Sequence, residues 1–157
     1  MAEPTHAPEH DARPTLDEVV RRRGTLYRAI LALEQAAARP AVSREEEWRE
    51  GVVAALEELE REIGDHIDVT ERPRGLYTEI VERAPRLSHR IHVLRGEHPE
   101  MLQATRALKS RLAAPEAPPV DEVRDEAQRV LGRLVKHRQQ GADLLWEAYS
   151  LDTGGSD

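Results

Sequence analysis

The chain contains no cysteine, which excludes disulfides, thiolate metal sites and thiol nucleophiles together. Aromatic side chains make up only 3% of the 157 residues, and phenylalanine is missing altogether. With β-branched residues sparse as well, strand formers are in short supply. Lysine occurs twice, at Lys109 and Lys136, so nearly all positive charge is arginine. No apolar run approaches the ~18 residues of a membrane span, and no signal-peptide pattern is present, so a soluble, cytoplasmic protein is expected. An excess of positive charge is lacking too. The net charge of −7 would repel phosphate-rich surfaces, so neither nucleic acid nor membrane is expected as a partner. The Arg21-Arg22-Arg23 run, balanced by nearby glutamates, reads as a solvated face. A protein partner stays open, but no feature identifies one.

What the chain does have is Ala, Leu, Glu and Arg, which are helix formers, in a length suited to one domain with a real core. Residues 1–14, with Pro4, Pro8 and Pro14 among small and charged residues, read as a disordered N-terminal tail whose His6 and His10 are free in solvent. Residues 15–155 read as the folded domain. A first long helix starts at Thr15 as N-cap, with Glu18 three residues on, and runs to about Ala38. Its apolar face is Leu16, Val19, Leu26, Ile30, Leu33 and Ala37, with Arg23 and Glu34 near the centre of that face and Tyr27 beside them. A second capping box at Ser43 and Glu46 opens a helix that Pro73 and Gly75 stop near Arg72. Its seam is Val52, Leu56, Leu59, Ile63, His66 and Thr70. A short helix over Leu76–Ala84 leads to Pro85, a suitable first residue for the third long helix, Leu87–Leu112. There Leu87, Ile91, Leu94, Leu102, Thr105 and Leu112 point within about 40° of one direction, with His98 in their midst. The fourth helix, from Val120 to about Leu151, has the seam Val123, Ala127, Val130, Leu134, His137, Gly141, Leu144 and Ala148, and Thr153-Gly154-Gly155 ends it. Nothing reads as a strand. The expected fold is all-α, an up-down-up-down antiparallel four-helix bundle with a short extra helix between its second and third long helices. Trp48, Trp146, Tyr77 and Tyr149 are expected to plug the bundle ends or the crossing made by the short helix, and Tyr27 is the aromatic placed to face a site.

Of seven histidines, His66, His98 and His137 lie on apolar seams of three different helices, whereas His89 and His92 project away from theirs. Each seam imidazole needs a buried hydrogen-bond partner or a metal. At ~1.5 Å per residue, His98 lies about 21 Å from Leu112 and His137 about 26 Å from Val120, level within a turn. By the same count Arg23 is level with them on the first helix, while His66 is about 34 Å from Ser43, two turns too deep if the helix tops are aligned.

The stretch Leu59–Met101 resembles the hemerythrin-like, HHE cation-binding domains. In that family a helix bearing His and carboxylates is followed by a short segment and then a helix with a Leu-x-x-Glu-His pattern, which here is Leu94-Arg95-Gly96-Glu97-His98. His137 in the fourth helix matches the next expected histidine. The resemblance covers Thr15–Gly155 and is that of a degenerate member. It implies a metal-binding bundle with His66, His98 and His137 as ligands of iron or another first-row metal ion, and oxygen, nitric oxide or iron sensing or storage as the activity. The pattern departs where the family expects a first-helix histidine, matched here by Arg23, and carboxylates one turn after two of the histidines, matched by Thr70 and Gly141. Glu34 is the remaining seam carboxylate, with Arg23 and Tyr27 as further candidates around the site.

Two other readings stay open. In one, the bundle is a metal-free descendant of that fold, with no cofactor, acting as a small interaction or regulatory module; the histidines are then core polar residues, and Arg23 and Glu34 complete a buried network. In the other it is an enzyme using His and Glu as acid and base, for which no carboxylate–histidine spacing speaks. No catalytic residue is assigned.

Overall fold

A computed structural model describes residues 12–150. The expected free His6 and His10, most of the expected tail, and the terminating Thr153-Gly154-Gly155 lie outside the described residues. The described residues are helical, with no strand among them. The elements are α1 (Leu16–Ala38), α2 (Glu45–Glu71), α3 (Leu76–Arg83), a 3₁₀ turn (Pro85–Leu87), α4 (Ser88–Ala113) and α5 (Val120–Ser150). The four long helices pack in a ring, α1 and α4 each lying against both α2 and α5. No helix among the described residues is long and apolar enough to cross a membrane.

The starts of the helices differ in their chemistry. Thr15 Oγ1 accepts a hydrogen bond from Glu18 N at 3.1 Å, the N-cap that the sequence predicts for α1. Ser43 does not repeat it. It sits in the left-handed region (φ 63°), and α2 begins two residues later behind Arg44 with no side-chain cap. Three glutamates in the first turn, Glu45 to Glu47, stabilise that end by charge instead. Pro85 opens a 3₁₀ turn, not α4 itself. The last residues of the stretch expected to be a loose tail are held on the bundle, with Pro14 buried and Arg13 paired with Glu82 at 3.1 Å.

The seams are buried, save Leu16, which is 78% exposed as the first residue of α1, and the half-buried His66, Leu102 and Gly141. The core divides into two apolar clusters. The larger gathers residues such as Leu33, Leu56, Leu59, Leu108 and Leu134, and the smaller gathers Val19, Tyr77, Ile80, Leu94 and Leu144. Full burial of each such leucine or isoleucine stabilises the fold by roughly 1.5–3 kcal/mol. Between the clusters, along every long helix, lies a polar layer: Arg23 on α1, His66 and Thr70 on α2, His98 on α4, His137 on α5.

The register of α2 brings His66 into that layer. The Trp48 indole N–H donates to Ala37 O at 3.3 Å, so Trp48, and not Ser43, is level with the end of α1. Counted from Trp48, His66 lies about 27 Å down, level within about a turn with His98 and His137, and α2, starting at Glu45, rises above Trp48 by less than a turn. Trp146, expected to be a plug, is 72% exposed.

α3 closes the other side of the layer. It buries Leu76, Tyr77 and Ile80, and it is reached through a tight turn at Gly75. A Cβ on Gly75 would lie 2.8 Å from both Thr70 O and Arg72 O, so no other residue fits there without moving the backbone. Arg72 anchors the turn through both guanidinium nitrogens on Glu18, at 3.3 and 3.2 Å. α4 runs unbroken through Pro99, which has no N–H for the helical ladder and directly follows His98.

Candidate metal centre

The three seam histidines meet. The ring centroids of His66 and His98 are 5.0 Å apart, those of His66 and His137 5.3 Å, and those of His98 and His137 4.9 Å. One nitrogen from each ring falls within 4.8 Å of the other two. His98 and His137 are buried, at 1% and 3% exposure, and His66 is half-buried. His89 and His92 are exposed, as their positions on the helix require.

Proton positions follow from the partners. Burial raises the Tyr77 pKa well above its ordinary value, so its hydroxyl keeps its proton at neutral pH. That hydroxyl lies 3.2 Å from His98 Nε2 and donates to it when the ring carries its proton on Nδ1. The Glu71 carboxylate favours that tautomer, its Oε2 lying 3.2 Å from Nδ1 though off the line of a hydrogen bond. Glu71 is itself held by Arg95 Nε at 3.1 Å. His137 repeats the pattern with Nδ1 3.5 Å from Glu97 Oε2. Its Nε2 and that of His66 are 3.2 Å apart, so in the neutral pair one donates to the other.

All three imidazoles are held neutral. Desolvation lowers the His98 pKa to about 4, against the opposing pull of Glu71. Desolvation also lowers His137, with Glu97 opposing, and drives His66 well below its ordinary value with help from the other two rings and Arg23. Neutral imidazole is the form that binds metals. Two nitrogens each ~2.0–2.1 Å from one ion at a near-tetrahedral angle lie about 3.3 Å apart, close to the 3.2 Å between His66 and His137. A carboxylate behind Nδ1 is the usual support of a metal-binding imidazole, and Glu71 and Glu97 stand in that position. The donor set could thus hold one small cation, with the third nitrogen, within 4.8 Å, drawing in to meet it. It does not fit two, because no carboxylate among the described residues joins the three-nitrogen cluster.

The other sequence candidates fare differently. Arg23 reaches the layer, as its level predicts, and lines a cavity beside His66 and His137. Glu34 is exposed and takes no part in the cluster, which corrects its place as the available seam carboxylate. Tyr27 is 44% exposed and packs under Arg138, 4.5 Å from ring to guanidinium carbon, so the aromatic at the histidines is Tyr77 instead. Thr70, where a family carboxylate is expected, turns its hydroxyl back to donate to His66 O at 2.8 Å.

Glu71, Glu97 and Tyr77 are the participants that seam reasoning misses. Glu71 is rotated off the α2 stripe, but the rotation aims it across the interface at a histidine of α4. Glu97 lies about 100° round from His98 and reaches α5. An acidic residue flanking a seam position toward the next helix was the available signal. Comparison with known protein families, curated proteins and solved structures returns no significant match.

Proposed function

We propose that this chain is a helical bundle that binds a single first-row metal cation through His66, His98 and His137. The observation that carries the reading is the convergence of three neutral imidazoles from three helices, two of them backed by carboxylates, in a layer that interrupts an otherwise apolar core. Buried polar groups cost stability unless they are fully partnered, and three together call for a purpose. Imidazole donors suit Fe, Zn, Cu or Ni, and the Tyr77 hydroxyl, 3.2 Å from His98 Nε2, would turn aside from that nitrogen to admit an ion.

The hemerythrin-like resemblance belongs to the same proposal. It supplies the up-down-up-down antiparallel order, which short connections and ring packing support. It also supplies iron as the first ion to try, and oxygen or nitric oxide as ligands to test. A mononuclear centre is the version the donor set supports.

One observation favours the metal-free module as the second reading. The Nε2 atoms already have partners, His66 with His137 and His98 with Tyr77, and Arg23 adds a positive charge that opposes a cation.

Elemental analysis of the anaerobically purified chain beside His98→Ala separates the two. About one equivalent of a first-row metal in the wild type, lost in the variant, supports the centre. Equal metal content in both overturns it. Cobalt(II) titration, read by its visible absorption, puts the same question with a metal that is added and not acquired.

A further inference from the structure

Two arginines line a cavity beside His66 and His137 with no ion-pair partner among the described residues. In this acid-rich chain other half-buried arginines are paired: Arg22 with Asp65 at 3.0 Å, Arg72 with Glu18 at 3.2 Å, Arg90 with Glu147 at 2.5 Å. Arg23 and Arg138 are both half-buried, yet no carboxylate among the described residues lies within ion-pair distance of either. Arg138 Nε is buried without an acceptor. The two cations repel, and burial together with Arg138 lowers the Arg23 pKa. Of the nearby carboxylates, Glu71 is paired with Arg95, and Glu97 stands behind His137 Nδ1, beyond ion-pair distance of either arginine.

A cavity of about 20 Å³ lies between these arginines, with His66, Tyr77, His137 and Gly141 on its wall. That is room for one water-sized or monatomic occupant. Gly141 brings α5 close to this guanidinium: a Cβ there would stand in ordinary contact, 3.5 Å from Arg23 Nη1. Arg23, Leu76 and Leu145 also line a larger outer groove of about 490 Å³, so a way in from solvent runs past Arg23.

We propose that this cavity holds a small monovalent inorganic anion, of chloride or bromide size, as the counter-charge of Arg23 and Arg138. The site rests on the arginines and needs no cation on the histidines. It is therefore tested on chelator-treated protein, where it stands or falls apart from the metal centre.

The thermal midpoint of the full chain is followed as sodium bromide replaces sodium gluconate, an anion too large for the cavity, at constant ionic strength. A saturable rise of a few degrees in the wild type, lost in Arg23→Gln and Arg138→Gln, is the expected result. No rise, or the same rise in both variants, overturns the proposal. If the variants do not fold, crystals of the wild type in sodium bromide decide. An anomalous peak between the two guanidinium groups supports the site, and bromide found only elsewhere overturns it.

Discussion

Tyr77 lies ring over ring with His98, the planes 13° apart and the hydroxyl 3.2 Å from Nε2. A residue of the short α3 thus holds one nitrogen of an α4 histidine and, by donating to it, would favour the Nδ1–H tautomer. Tyr77→Phe removes that donor and leaves a buried acceptor unmet. The variant should lose about 1–3 kcal/mol in urea unfolding. In nitrogen-15 spectra of chelator-treated wild type, His98 should be the Nδ1–H tautomer, and the variant should lose that preference. An unchanged tautomer would mean that Glu71 alone fixes it.

Acid should destabilise the metal-free fold through the same layer. The folded pKa values of His66, His98 and His137 all lie below the unfolded value near 6.5. The unfolded chain then binds more protons, so stability is complete above about pH 6.5. It falls as pH drops from there toward the folded value, about 4 for His98. The contribution of His98 alone is of the order of 3 kcal/mol. Urea midpoints between neutral pH and pH 4, measured beside His98→Gln, check this, because the variant's curve should be flatter.

Glu71→Gln and Glu97→Gln keep shape and remove the charge behind each Nδ1. Under the metal reading each should weaken cation binding roughly 10–100-fold while leaving helix content unchanged. Cobalt titration with circular dichroism on the same samples reads both. Full affinity in both variants would show that the carboxylates serve the fold and not an ion.

Glycines give a contrast of sign. A Cβ on Gly96, inside α4 and facing solvent, meets nothing within 4 Å. Gly96→Ala should therefore stabilise by roughly 0.5–1 kcal/mol from helix propensity. Gly75→Ala should destabilise instead, because its Cβ would strike two backbone carbonyl oxygens. Thermal denaturation of the pair checks both directions.

Much of this is legible from spacing. The seams of the four long helices can be read because burial on one face leaves a 3.6-residue pattern in each, and His66, His98 and His137 sit on those patterns. Depth is harder. Counting from Ser43 puts His66 two turns away, because the count assumes level helix tops, while the Trp48 indole on Ala37 O sets α2 higher. Cross-helix partners are not legible at all. Glu71 looks misplaced on its own helix, and its use emerges only once α4 lies alongside. Glu34, by contrast, reads as inward on α1 and yet faces water, since that face is wide enough for a charged residue to escape at its edge.

The pairing of His66 with His137 joins positions 71 residues apart in the chain. Three rings from separate helices can converge only after those helices have docked, so anything gripping all three meets no preformed claw in the unfolded chain. An ion there would act as a brake on opening and not as a seed for collapse: the unfolding limb of a chevron would slow, while the refolding limb would keep its rate.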